Sequence, residues 1–166
     1  MGPMTRAVVR GGPAGLAATI PMSLVMLVAG RLADMGTQPP ERVAEEALGR
    51  AGADGTSEET QNLAASLAHL AFGAGGGAAF ALARHSLVLR GLGLAVPAVA
   101  QGTIFGLGVW AVSYQGWIPA LGILPPAERD RPGRRRTMIV AHLVYGATLG
   151  ALEARLTDGS PGPAGR

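Results

Sequence analysis

Residues 60–83 read TQNLAASLAHLAFGAGGGAAFALA, a run of 24 positions without Asp, Glu, Lys or Arg. A hydrocarbon core about 30 Å thick takes roughly 20 apolar residues in helix, so this run can cross a bilayer once. Working outward, the charges vanish again over 11–30, 91–127 and 137–152. The four windows cover 97 of the 166 residues, which crowds all 25 charged residues into the remaining 69. A soluble domain carries charge on its helix surfaces as well as in its loops, and this distribution leaves none for them. Disorder is excluded by a hydrophobic content of 48% and a mean hydropathy of +0.30.

The windows predict an all-α domain over 1–156 with membrane spans at about 11–32, 60–83, 94–116 and 137–154. The Gly/Pro-rich residues 157–166 read as a disordered tail. The third window cannot be one straight span, since 37 residues would make a helix of about 55 Å at ~1.5 Å per residue. Pro119, Pro125 and Pro126 end the helix near Gly116, and 118–126 then either lies flat at the interface or folds back among the helices. Trp110, Tyr114 and Trp117 fall at i, i+4 and i+7 and read as an aromatic belt at the membrane boundary. In the fourth span, Asp130 and Pro132 offer an N-cap and an early proline.

Between the first two spans, residues 31–59 hold three Arg and seven acidic residues, a net charge of −4. Val43, Ala44, Ala47, Leu48 and Ala51 share one face of a short helix at about 40–51, expected to lie on the membrane surface. Thr56 and Glu59 fit a capping box that opens the second span. Arg6 and Arg10 precede the first span, which contains Pro21 and lacks a small-x-small cleavage site, so it reads as an anchor rather than a removed signal. Eight Arg flank one side of the predicted membrane and six the other, which leans both termini outward under the positive-inside rule.

The composition removes several chemistries. With no Cys there are no disulfides, thiolate nucleophiles or thiolate metal sites. The pI near 10.5 comes with 4% aromatic residues and a net charge of only +3, which fits Arg-flanked membrane helices better than a nucleic-acid surface. No nucleophile–base–orienter set, phosphate loop or intramembrane carboxylate pair is present, so an enzyme is not expected.

The strongest motif is a repeat. Residues 68–78 (AHLAFGAGGGA) match 141–151 (AHLVYGATLGA) at seven of eleven positions, and an eighth pairs Phe72 with Tyr145. Helices one and three share Gly11-x-x-x-Gly15-Leu16 and Gly102-x-x-x-Gly106-Leu107. The expected architecture is a four-helix bundle of two tandem helical hairpins, related by a pseudo-two-fold axis along the membrane normal. Gly11, Gly15, Gly73, Gly77, Gly102, Gly106, Gly146 and Gly150 form small-residue stripes that let helix backbones approach.

His69 and His142 occupy the same place in each repeat, on the glycine face, and should point inward at equal depth. Three uses of such a pair stay open. Each imidazole can bond across a helix interface, the pair can form a proton-responsive or polar substrate site, or it can ligate a metal ion or a b-type haem. Tyr145, Gln101, Thr19, Ser23 and Ser113 are the other polar groups available to such a site.

Trp117-x-Pro119-Ala120-Leu121-Gly122-Ile123-Leu124-Pro125-Pro126, followed by Ala141-His142-Leu143-Val144-Tyr145-Gly146, resembles the YagU-like small bacterial inner-membrane proteins. The resemblance covers mainly residues 99–152 and implies a multi-pass inner-membrane protein of a family without an assigned activity. The expected function is an accessory or binding role at the His-centred seam, with the lipid bilayer as partner and as a homo-oligomer or a subunit of a membrane complex. A proton or small-solute transporter and a bis-His haem or metal redox protein are the alternatives.

Overall fold

The computed structural model describes residues 1–32, 36–53, 55–86 and 96–158. These form five helices and no strand: α1 (Pro3–Leu32), α2 (Pro39–Arg50), α3 (Glu58–His85), α4 (beginning Ala98–Val112) and α5 (Pro132–Asp158). α4 continues through a π-helical turn, Ser113–Trp117, into a last short turn, Ile118–Ala120. Among the described residues, α1, α3 and the Pro132–Leu156 part of α5 are each long and apolar enough to cross a membrane.

Local chemistry sets the ends. Ser57, not Thr56, caps α3, its hydroxyl accepting from the Thr60 N–H at 3.3 Å. Glu58 and Glu59 then sit in the first turn, and Arg84 and His85 in the last, each matched to the helix dipole. α2 starts at Pro39-Pro40, with the Glu41 carboxylate accepting from Gln38 N–H at 3.0 Å. Its C-terminus turns at Gly52, whose φ of +74° only glycine adopts without strain.

Pro119 does not stop α4 where its position suggests. In a regular α-helix its ring would strike the carbonyl of Gln115. The wider π turn accommodates it, with Ile118 N–H reaching back five residues to Ser113. The helix then ends on Gly122 at φ +73°, with Ile123 N–H on Ile118 C=O and Gly122 N–H on Pro119 C=O. The segment that follows folds back: Ile118, Ile123, Leu124 and Ala127 are buried in the core. The fourth predicted span is also longer than the charge-free window, beginning at Pro132 and running through 158. Its last two residues had read as tail; the rest of that tail, 159–166, lies outside the described residues, as do 94–95 of the third span.

Two close crossings organise the packing. α1 meets α3 at Gly11, Gly15, Gly73 and Gly77, where a methyl on Gly15 would lie 2.7 Å from Gly77 Cα. α4 meets α5 at Gly102, Gly106, Gly146 and Gly150, where a methyl on Gly102 would lie 2.8 Å from Gly150 Cα. α1 also packs along α5 and α2 against α3, whereas α3 and α4 touch at few points. Leu16, Ile20, Leu24, Leu27 and Val28 of α1 face away from these seams and are exposed, while Ala14 and Ala18 are buried.

Candidate functional site

The sparse contact between α3 and α4 leaves a cavity of about 210 Å³ near the end of the helices that α2 covers. His69 from α3 and His142 and Tyr145 from α5 all line it. Two aromatic pairs bridge the gap between α3 and α4, Phe72 with Trp117 at 6.5 Å and Phe80 with Phe105 at 5.2 Å between ring centres. Phe72 and the lining residue Ala68 are exposed, so the cavity opens sideways between these two helices.

The two imidazoles sit in different surroundings. His142 is buried, and its Nδ1 lies 2.7 Å from the Met138 carbonyl four residues back. A carbonyl only accepts, so in the neutral ring Nδ1 carries the proton and Nε2 presents a lone pair. His69 is half-buried, with a fully buried Nε2 that has no hydrogen-bond partner. Both rings border the same cavity.

The aromatic residues of the repeat part company. Tyr145 turns inward and donates to the Gly73 carbonyl at 2.7 Å, tying α5 to α3 at the α1 crossing. Phe72 lacks the hydroxyl and lies in the side opening. Thr19 and Ser113 do line the cavity, as their polarity suggested, but Ser23 and Gln101 do not. Gln101 sits near the opposite end of α4, its side-chain amide donating to the Val96 carbonyl at 2.7 Å, so it takes no part in the His pair's surroundings. The expected aromatic belt is not one either. Tyr114 is 2% exposed and Trp117 faces the cavity, because the π turn rotates this end of α4 inward.

Tyr114 instead donates its hydroxyl to Asp130, which also accepts from Arg131 N–H at 2.7 Å and from the Arg134 guanidinium at 3.2 Å. Asp130 therefore anchors the cavity's edge rather than merely starting α5. Sequence reading missed this cluster, and it missed Met22, Met26 and Met138 in the cavity wall. The signal was present for two of them: Gly15, Thr19, Met22 and Met26 fall at i, i+4, i+7 and i+11, one face of α1.

No family model, curated protein or solved structure matches this chain.

The site is small for a macrocycle. Its 210 Å³ is below the roughly 300–1,000 Å³ of pockets that hold drug-sized ligands, so a haem does not fit between the histidines as they stand. Among the described residues, no group of three or more His, Cys, Asp or Glu is placed to hold a metal ion. The arrangement is suited to holding a compact apolar group with one polar end.

Proposed function

We propose that the chain is a membrane-integral four-helix bundle of two tandem hairpins that binds a small lipophilic ligand through the gap between α3 and α4. It acts as an accessory or binding protein and not as a catalyst. The observation that carries this reading is the sideways-opening cavity with both repeat histidines in its wall. A bilayer delivers apolar molecules along its plane, and an opening between helices lies on their path. The exposed Leu16, Ile20, Leu24, Leu27 and Val28 stripe on α1 supports lipid contact, with the small residues kept for helix seams.

The duplicated-hairpin reading is supported by the two glycine crossings, with one adjustment. Gly15 faces Gly73 and Gly77, as Gly102 faces Gly146 and Gly150. Gly11 therefore corresponds to Ala98 and Thr19 to Gly106, one helical turn away from the pairing that matching glycines suggest. On this reading, and with the resemblance to the YagU-like proteins, a bacterial inner membrane is the favoured location.

Quenching by 1-bromo-4-octylbenzene tests the cavity, with the Trp110→Phe chain in mild detergent so that Trp117 is the single reporter. Saturable quenching that Ala68→Phe abolishes is expected, because the larger side chain blocks the opening. Quenching that is identical in both chains would refute a bound ligand.

A further inference from the structure

We infer that the cavity recognises a lipophile with a ring hydroxyl, an alkyl phenol or quinol, whose hydroxyl bridges His69 Nε2 and His142 Nε2. This rests on the cavity reading above and names its ligand class.

The hydrogen-bond inventory of the wall points to that group. Thr19 donates to the Gly15 carbonyl at 2.9 Å, Ser113 to the Val109 carbonyl at 2.7 Å and Tyr145 to the Gly73 carbonyl at 2.7 Å. Tyr114 donates to Asp130. Every hydroxyl in the wall has thus spent its proton on the protein. Of the side-chain nitrogen and oxygen atoms fully buried in this wall, His69 Nε2 is the one without a partner. His142 has fixed its proton on Nδ1, so its Nε2 can only accept; His69 Nε2 is buried without a partner and, as Nε2–H, can donate. One group that gives a proton to the first and takes one from the second is a hydroxyl. A ketone or ether has no proton for His142, and a carboxylate or ammonium would be an unpaired charge in an apolar cavity.

Size and lining choose the carrier of that hydroxyl. An apolar cavity of about 150 Å³ is known to hold benzene, so 210 Å³ accommodates one six-membered ring with a hydroxyl. The thioethers of Met22, Met26 and Met138 and the indole of Trp117 surround that space, and sulfur and aromatic groups both favour an aromatic ring. The substituent opposite the hydroxyl leaves past Phe72 and Ala68 through the side opening.

Displacement of 1-bromo-4-octylbenzene from the Trp110→Phe chain, read as recovery of Trp117 fluorescence, tests this with 4-octylphenol, 4-octylanisole and octylbenzene. The phenol is expected to displace the probe at about one-tenth of the concentration the other two need, the tenfold expected of one or two net hydrogen bonds. In His142→Phe and His69→Phe the preference should fall to about twofold or less. Comparing the phenol-to-anisole ratio between chains cancels micelle partitioning, which is the same for a given ligand in every chain. Equal displacement by all three in the parent chain would overturn the bridging hydroxyl while leaving the cavity reading standing. A phenol preference that survives both substitutions would overturn it too. Should the brominated probe fail to bind, the cavity reading itself falls. The ligand series in the Trp110→Phe chain needs no further substitution to fold.

Discussion

Gly75 and Gly77 lie two residues apart on α3, yet only one is in a seam, and replacing each with Ala separates helix packing from helix propensity. A methyl on Gly77 would lie 2.6 Å from both Cα and N of Gly15, and the obstacle is backbone that cannot swing aside. Carbon contacts settle at about 3.5–4.0 Å, so α1 and α3 must part by about 1 Å. An opening of that size forfeits roughly a quarter to a half of each dispersion contact along the crossing. Overpacking of this kind costs about 1–3 kcal/mol, against which Ala recovers about 0.5–1 kcal/mol of the entropy that Gly loses on folding. Gly75 has nothing within 4 Å of its missing methyl and keeps only the recovery. Gly77→Ala should therefore be less stable than Gly75→Ala by about 2 kcal/mol. Reversible unfolding in mixed micelles, followed by far-ultraviolet circular dichroism, measures the difference. Two variants within about 0.5 kcal/mol of each other would refute the close crossing.

Asp130→Ala strips the buried Arg134 and the Tyr114 hydroxyl of a shared acceptor, and should cost about 3 kcal/mol in the same unfolding assay, the low end for a broken buried pair. Arg134 keeps further contacts, which is why the low end is expected. Ser57→Ala should cost about 1 kcal/mol and speed hydrogen exchange at the Thr60 amide. Thr56→Ala should do neither, since the Thr56 hydroxyl has no partner. Tyr145→Phe should lose about 1 kcal/mol with the Gly73 bond, a drop seen in unfolding and not in membrane insertion. Because the chain has no Cys, single cysteines report topology without background. A membrane-impermeant maleimide should label Ser57→Cys and Glu128→Cys from one side and Gly2→Cys and Ser86→Cys from the other, and mixed labelling within either pair would exclude four crossings.

The helices were legible because absence of charge over a long window is a signal that needs no partner to interpret. Their ends were less so. The capping residue moved from Thr56 to Ser57 because two adjacent hydroxyls offer the same chemistry, and only the turn of the chain chooses between them. Pro119 reads as a stop, yet a π turn is a tertiary compromise that leaves no local mark apart from Gly122, whose position just past a short helix was the available clue. In the site, His69, His142 and Tyr145 line one cavity. Gln101 does not, since a polar residue near a helix N-terminus readily satisfies itself on the preceding carbonyls, and spacing alone does not say which end of a bundle is hollow. The inward turn of Tyr114 depended on Asp130, sixteen residues away across a turn that sequence periodicity does not span.

The weak meeting of α3 with α4 bears on assembly as well as on access. α1 and α3 hold together by one glycine crossing and α4 and α5 by another, and the two pairs meet along the α1–α5 seam. Since α3 ends at His85 and α4 begins at Ala98, a cut between them severs no helix described here. On the proposed membrane reading the molecule is in this sense severable: two polypeptides, made separately and inserted side by side, carry the described surfaces through which the two helix pairs meet.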